Sequence, residues 1–310
     1  MENRSLIHEK LTLSLDIMSM KFKHNSISEF TTFKIGGPAN HFAVCDTIEE
    51  LQKAVASSQF QGLPWFVLGN GSNILVSDDG FPGQVIKLSG DFQGVVFGQD
   101  SVQVGAGVIL PGLSSCGLAK GWGGFEFMCG IPGTIGGAVR INAGTKQGEI
   151  KDHIISATVL TPAGEIKTLN KQELGFSYRH SKLVETSDIV LSATFAKPYV
   201  TDKAVIQEKI KEIIACRRQK QPRIKRNCGS VFKSPPRGKP VGWYIDQAGL
   251  KGFRVGNAMI AHEHANWIVN LGNSRAKDVK AIISHVQDTV FKKFGTMLER
   301  EVIYVPEDIL

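Results

Sequence analysis

The side chains most able to do chemistry lie in the stretch RNCGSVFKSPP, residues 226–236. Cys228 and Ser230 flank Gly229, so either could be the reacting group. A thiolate is the stronger nucleophile, and a serine normally needs a base beside it. A second candidate is FSYRHS, residues 176–181, where Arg179 follows Tyr178. Arginine offers a planar fork for a carboxylate or phosphate, although most arginines are surface charges. His180 reads as a surface or hydrogen-bonded residue. HEH, residues 262–264, could place two imidazoles on one face of a strand. It lacks a third ligand, so no metal is expected. FGTMLEREVIYV carries Glu299 and Glu301, which share a face if the segment is extended, with surface placement the default.

Two glycine-rich loops suggest a ligand. In LGNGSNILVSDDGFPG, residues 68–83, Gly69, Asn70, Gly71 and Ser72 can converge several backbone N–H groups on an anion. A plain tight loop explains them equally well. The loop lacks the third glycine of a dinucleotide fingerprint, where Ile74 stands, and the G-K-[ST] of a phosphate-binding P-loop. In GFEFMCGIPGTIGGAVRINAG, residues 124–144, five glycines at 130, 133, 136, 137 and 144 would let backbone approach a ligand closely. Together the loops suit a long ligand with a diphosphate and flat rings. Residues 217–226, RRQKQPRIKR, hold six positive charges. No aromatic residue is interleaved for base stacking, so a helix end or a phosphate contact is the better reading than a nucleic-acid site.

These groups need elements to hold them. HFAVCD, PWFVLG, QVIKLSG, VVFGQ and VQVGAG read as strands. IEELQKAVASS reads as a helix opened by Thr47, with Glu50 completing a capping box. LPGLSSCGLAKG is a short helix, IISATVLTPAGEIKTL a hairpin around 162–164, and SDIVLSATFAKP a strand. DKAVIQEKIKEIIACRRQKQP predicts an amphipathic helix with Val205, Ile206, Ile210, Ile213 and Ile214 on one side. HANWIVNLG, RAKDVKAIISHVQDTVFKKFG and EVIYVP follow as strand, helix and strand. The change of texture puts a domain boundary near 199.

The 310 residues are 42% hydrophobic and 21% charged, an ordinary globular balance. The net charge of +7 suits an anionic partner without implying nucleic acid. Five cysteines, with no C-x-x-C pair, suit a reduced cytoplasmic protein. The first twenty residues make a poor signal peptide, and no apolar run approaches the length of a membrane span.

Taken in order, TTFKIGGPA, LGNGSNILVSDDGFPG, EFMCGIPGTIGGAVRINAG, YRHS, RRQKQP, CGSVFKSP, AGLKGFRVGNAMIAHEHANWIVN and LEREV resemble the UDP-N-acetylenolpyruvoylglucosamine reductase family, from about Ser26 to Val305. The short spacing after YRHS resembles its shorter type, which lacks an inserted tyrosine-bearing loop. The resemblance implies an α+β FAD-binding fold of the vanillyl-alcohol oxidase and p-cresol methylhydroxylase type, with a C-terminal α+β substrate domain. It implies an N-terminal extension over 1–24 and an FAD-binding domain over 25–199, in subdomains of about 25–90 and 91–199. A substrate domain over 200–300 and a C-terminal segment over 301–310 complete the division. Non-covalent FAD would lie on Gly69, Asn70, Gly71, Ser72 and Asn73, and along Gly130, Ile131, Pro132, Gly133, Thr134, Gly136, Gly137 and Ala138. Tyr178, Arg218, Lys233 and His264 would contact the substrate.

The resemblance also implies the reaction. NADPH is the co-substrate, and hydride passes by way of the flavin to the terminal vinyl carbon of an enolpyruvyl UDP-sugar in peptidoglycan precursor synthesis. Arg179 would face the substrate carboxylate, Glu301 would polarise the enol, and Ser230 would give a proton to carbon. Such a step needs no covalent intermediate, which favours Ser230 over Cys228. Glu301 can donate a hydrogen bond only if burial raises its pKa. Two positions depart from the family pattern: Ser234 stands where asparagine is usual, and INAGTKQG lacks the aromatic of MNAGAYG. A monomeric cytoplasmic enzyme without nucleic-acid or membrane partners is expected. The alternatives are another FAD-linked oxidoreductase of the same fold and a nucleic-acid binder using the basic helix.

Overall fold

The structure is a computed structural model, and it describes residues 26–310. The expected N-terminal extension therefore lies outside the described residues. The first lobe is built on a parallel sheet with the strand order Ala39–Cys45, Phe81–Leu88, Trp65–Val67. Gln84 to Ile86 are buried consecutively because the central parallel strand is covered on both faces. The helix Ile48–Phe60 turns Leu51, Ala54 and Val55 inward. Its cap differs slightly from the expected box. Thr47 Oγ1 accepts from the Glu50 N–H at 3.3 Å, but the Glu50 carboxylate accepts from Asp46, one residue earlier, at 2.7 Å.

The second lobe is a five-stranded antiparallel sheet, ordered Ile166–Asn170, Ile154–Leu160, Ile189–Ala196, Ser101–Gly105, Val95–Phe97. The hairpin expected at 162–164 joins its first two strands, and Gly164 takes φ +83° at the turn. One hydrophobic core joins this sheet to the inner face of the first lobe's helix.

The third lobe is a four-stranded antiparallel sheet, Asn227–Ser230, Trp267–Asn270, Ala258–Ile260, Arg254–Val255. The helix Ala276–Phe294 covers it with Val279, Ile282, Ile283, Val286 and Val290, the stripe of an amphipathic helix. Phe33, Ile35 and Leu75 of the first lobe enter the same core. Asp78, from the first lobe's glycine-rich loop, accepts from the N–H groups of Ala276 at 2.8 Å and Lys277 at 3.2 Å. A carboxylate is favoured there by the orphan N–H groups and the helix dipole.

Two expected boundaries move. The helix Lys203–Lys220, assigned above to the substrate domain, packs on the 3₁₀ turn Glu126–Gly130 and the helix Leu110–Lys120 of the FAD-binding part. Tyr199 donates to buried Glu126 at 2.8 Å, and Lys209 donates to the Tyr199 hydroxyl at 2.8 Å, which fixes the helix there. Of the expected apolar stripe only Ile206 is fully buried, and Val205 is 46% exposed. The third lobe therefore begins near 221. Nor is 301–310 a separate tail. Ile303–Val305 pairs in parallel with Ile74–Val76, returning the chain end to the first lobe. HEH lies on a turn, not a strand, because its backbone reverses into Trp267–Asn270.

Since Asp78 links two lobes through one helix end, Asp78→Ala is expected to cost about 1 kcal/mol. That should lower the thermal midpoint by about 2 °C or more. Asp78→Asn, which still accepts hydrogen bonds, should recover most of the loss. An unchanged midpoint for Asp78→Ala would contradict the role given to this cap.

Candidate active site

All three lobes line one cavity of about 1370 Å³. Every residue of the two expected cofactor loops lies on its wall: 69–73, 130–134 and 136–138. The loops are tied together by Asn70, whose Nδ2 donates to the Pro132 carbonyl at 2.6 Å. Gly71 needs to be glycine for the protein's own sake. Its φ is +57°, and a Cβ would sit 2.4 Å from the Phe30 carbonyl oxygen. Gly137 behaves otherwise: a Cβ would meet nothing nearer than 3.7 Å, so this face is open to a ligand.

The residues present fit an anionic cofactor. Among the described residues, the backbone N–H groups of 70–73 find no protein acceptor. Consecutive unpaired donors of this kind suit a diphosphate. Lys87 lines the same region and donates to the Gly69 carbonyl at 3.0 Å. Burial pushes its pKa down, so a bound anion would offset the cost of its charge. Lys87 was missed in the sequence, although a lysine inside the apolar run QVIKL was a usable signal.

The three expected catalytic residues also line this cavity. Arg179 adopts a left-handed backbone, φ +54°. Its Nε donates to Glu301 Oε1 at 2.9 Å and its Nη2 to the Gly144 carbonyl at 2.9 Å. Glu301 is placed by the Val231 carbonyl, which accepts its N–H at 2.8 Å, and by Asn73, which donates to its carbonyl at 3.1 Å. Burial raises the Glu301 carboxyl pKa, against the pull of Arg179 and, more weakly, Lys233. Glu299 and Glu301 do not share an environment. The Glu299 side chain is 71% exposed and that of Glu301 15%, because the segment is irregular before Glu301.

Ser230 ends the strand Asn227–Ser230 on the cavity wall, and no described residue bonds its hydroxyl. Cys228 reaches the same wall but is buried, and burial pushes its thiol up to about 12. A neutral thiol is a poor nucleophile. Burial therefore disfavours Cys228 as the reacting group.

The expected substrate contacts divide. Tyr178 lines the cavity, stacks on the Arg179 guanidinium at 5.0 Å, and its hydroxyl accepts from the Ser234 N–H at 3.4 Å. Arg218 does not reach the cavity and is exposed. Arg217 lines it instead, packed so closely over Gly130 that a Cβ there would lie 2.3 Å from its Nε. One residue along a helix turns the side chain by about 100°, and sequence alone did not fix that phase. Lys233 lies outside the lining, ion-paired with Glu299 at 2.5 Å. His264 is outside it too, its Nδ1 accepting from the Asn266 N–H at 3.2 Å.

Residues 39–170 match the family model of an FAD-binding domain. Residues 221–305 match that of the C-terminal domain of UDP-N-acetylenolpyruvoylglucosamine reductase. The chain is 41% identical over 301 residues to the UDP-N-acetylenolpyruvoylglucosamine reductase of Caldicellulosiruptor saccharolyticus, covering 96% of each chain. It is 41% identical to that of Listeria welshimeri, covering 94% of this chain and 99% of the relative. The crystal structure of the Thermus caldophilus reductase superposes with a TM-score of 0.81 at 40% identity, covering 93% of this chain and all of that one. With an FAD-binding domain, a matching C-terminal domain and relatives aligned over nearly their whole length, the chain belongs to the UDP-N-acetylenolpyruvoylglucosamine reductase family.

Proposed function

We propose that this protein reduces the enolpyruvyl ether of UDP-N-acetylglucosamine to UDP-N-acetylmuramate for peptidoglycan synthesis, with NADPH as reductant and Arg179, Ser230 and Glu301 as its catalytic residues. The observation that carries the reading is the convergence of both glycine-rich loops and these three residues on one cavity. Bound FAD would supply the hydride chemistry between the nicotinamide and the substrate.

The protein's own groups do the rest. Loop 69–73 and Lys87 would hold the cofactor's diphosphate, and 130–134 with 136–138 would hold the rest of it. Arg179 meets the substrate carboxylate, onto which negative charge spreads as hydride reaches the terminal vinyl carbon. Arg179 is paired with Glu301 at 2.9 Å. A second carboxylate arriving at Arg179 raises the Glu301 pKa further, since like charges cannot both stay ionised in a confined site. Glu301 then takes a proton and becomes a hydrogen-bond donor to the enol. Ser230, facing the cavity, delivers the proton to the carbon bearing the ether oxygen, and water restores it. Tyr178 and Arg217 hold the remaining substrate.

One chain supplies every wall of the cavity, so a monomer suffices. Among the described residues no helix is long and apolar enough to cross a membrane. Unpaired cysteines and nucleotide substrates support a cytoplasmic enzyme.

Three outcomes test this. Acid precipitation should release all the yellow colour, and colour kept in the pellet would exclude non-covalent FAD. In rapid mixing, Ser230→Ala should be reduced by NADPH at nearly the wild-type rate. Its reoxidation by the enolpyruvyl nucleotide should then slow roughly 10²- to 10⁴-fold. Cys228→Ser should change neither step. The assignment fails if those two variants exchange behaviours. The third outcome concerns pH. Because the protonated Glu301 is the competent form and its pKa is raised, reoxidation should fall as pH rises through that pKa, by about tenfold per unit. Glu301→Gln, slower throughout, should lose this limb; the same pH dependence in that variant would assign the limb elsewhere.

A further inference from the structure

Arg179 has a second carboxylate neighbour. Glu149 Oε1 lies 3.8 Å from Arg179 Nη1, and Glu149 lines the same cavity. The two glutamates are held very differently. Among the described residues, only Arg179 bonds the Glu301 carboxylate. Glu149 is fixed on every side. Its Oε2 accepts from Asn142 Nδ2 at 3.1 Å and pairs with Lys151 at 2.7 Å. Its carboxylate also takes the Asp152 N–H, while Asp152 accepts the Glu149 N–H at 2.8 Å. Asn142 is itself fully buried in a left-handed conformation, φ +46°. Its Nδ2 also donates to the Ser177 carbonyl at 2.8 Å, two residues before Arg179, and its Oδ1 accepts from the Lys151 N–H at 3.0 Å. One buried asparagine therefore fixes both Glu149 and the turn that carries Arg179.

We propose that Glu149 is the positioning residue that keeps the Arg179 guanidinium in place while Glu301 gives it up to the substrate carboxylate. This rests on the role of Arg179 given above. When Glu301 is protonated, the remaining anchor with a direct hydrogen bond is the Gly144 carbonyl. One neutral bond leaves a guanidinium free to swing about it. A fixed negative charge near Nη1 opposes that motion. At 3.8 Å it is too far to be a hydrogen bond, so it does not compete with the substrate for donors.

Two sets of charges bear on the test. Arg179, Lys233 and the neutral Cys228 thiol face Glu301; Arg179, Lys151 and Asp152 face Glu149. Removing the negative charge of Glu149 leaves Arg179 balanced by Glu301 alone. That favours ionised Glu301 and lowers its pKa.

Glu149→Gln tests the proposal, because its amide oxygen can still accept from Asn142 and from the Asp152 N–H. FAD content, thermal midpoint and reduction by NADPH should stay close to wild type. Reoxidation by the enolpyruvyl nucleotide should slow by about tenfold or more, as misplaced groups do. The pH at which that rate begins to fall should move down. Glu149→Asp, which restores the charge, should recover part of the rate and the pH profile. The proposal is overturned if Glu149→Gln reoxidises at the wild-type rate with an unshifted profile while Arg179→Lys is slow. It is also overturned if the aspartate is as slow as the glutamine with no shift in either. Wild-type reoxidation in Arg179→Lys would remove the role of Arg179 itself, and that of Glu149 with it.

Discussion

Much of the architecture serves one ion pair between residues 122 positions apart, Arg179 of the second lobe and Glu301 of the returning chain end. Both side chains are largely buried, 17% and 15% exposed. Taking two charges out of water costs more than their attraction reliably returns, so such a pair is weak evidence of stability. Its geometry makes sense as chemistry. In the proposed mechanism a guanidinium held ready for a carboxylate needs an interim partner, and a carboxyl that must later donate needs burial. The strand Ile303–Val305 pairs with Ile74–Val76 beside the cofactor loop, and Val231 bonds Glu301 from the third lobe. The pair is thus positioned by all three lobes at once.

The same frame separates Ser230 from Cys228. The two lie in one short strand on one cavity wall, yet Cys228 is buried in the third lobe's core while Ser230 is only half-buried. Burial favours the uncharged thiol, and so removes the advantage that cysteine has as a free side chain. Under the proposed mechanism this wall must supply a proton to carbon, which a positioned hydroxyl can do without ever forming an ester.

Much of this was legible in the sequence, and the gaps have physical reasons. Strands with clean apolar runs and helices with clear caps fell where periodicity put them. Glycine spacing picked out two loops that line one cavity, because backbone that can approach a ligand closely leaves a residue-level mark. The helix Lys203–Lys220 was found, but its lobe was not: a stripe of isoleucines does not say which surface it meets, and Glu126 and Tyr199 decided that. Arg217 rather than Arg218 lines the cavity because helix phase, unlike helix existence, is set by packing. Glu149 carried no signal at all. Its importance comes from Asn142 and Arg179 lying beside it only in three dimensions.

The exchange of partners at Arg179 has a direct thermodynamic signature. If the substrate carboxylate displaces Glu301, binding must be accompanied by proton uptake. Calorimetric titration of the oxidised holoenzyme with the enolpyruvyl nucleotide, repeated across the pH range in pairs of buffers of different ionisation enthalpy, measures that number. A pH window of net proton uptake is expected, with almost none at any pH for UDP-N-acetylglucosamine, which lacks the carboxylate, and none in Glu301→Gln. Binding of the enolpyruvyl nucleotide without proton exchange in the wild-type protein would contradict the partner exchange on which the mechanism rests.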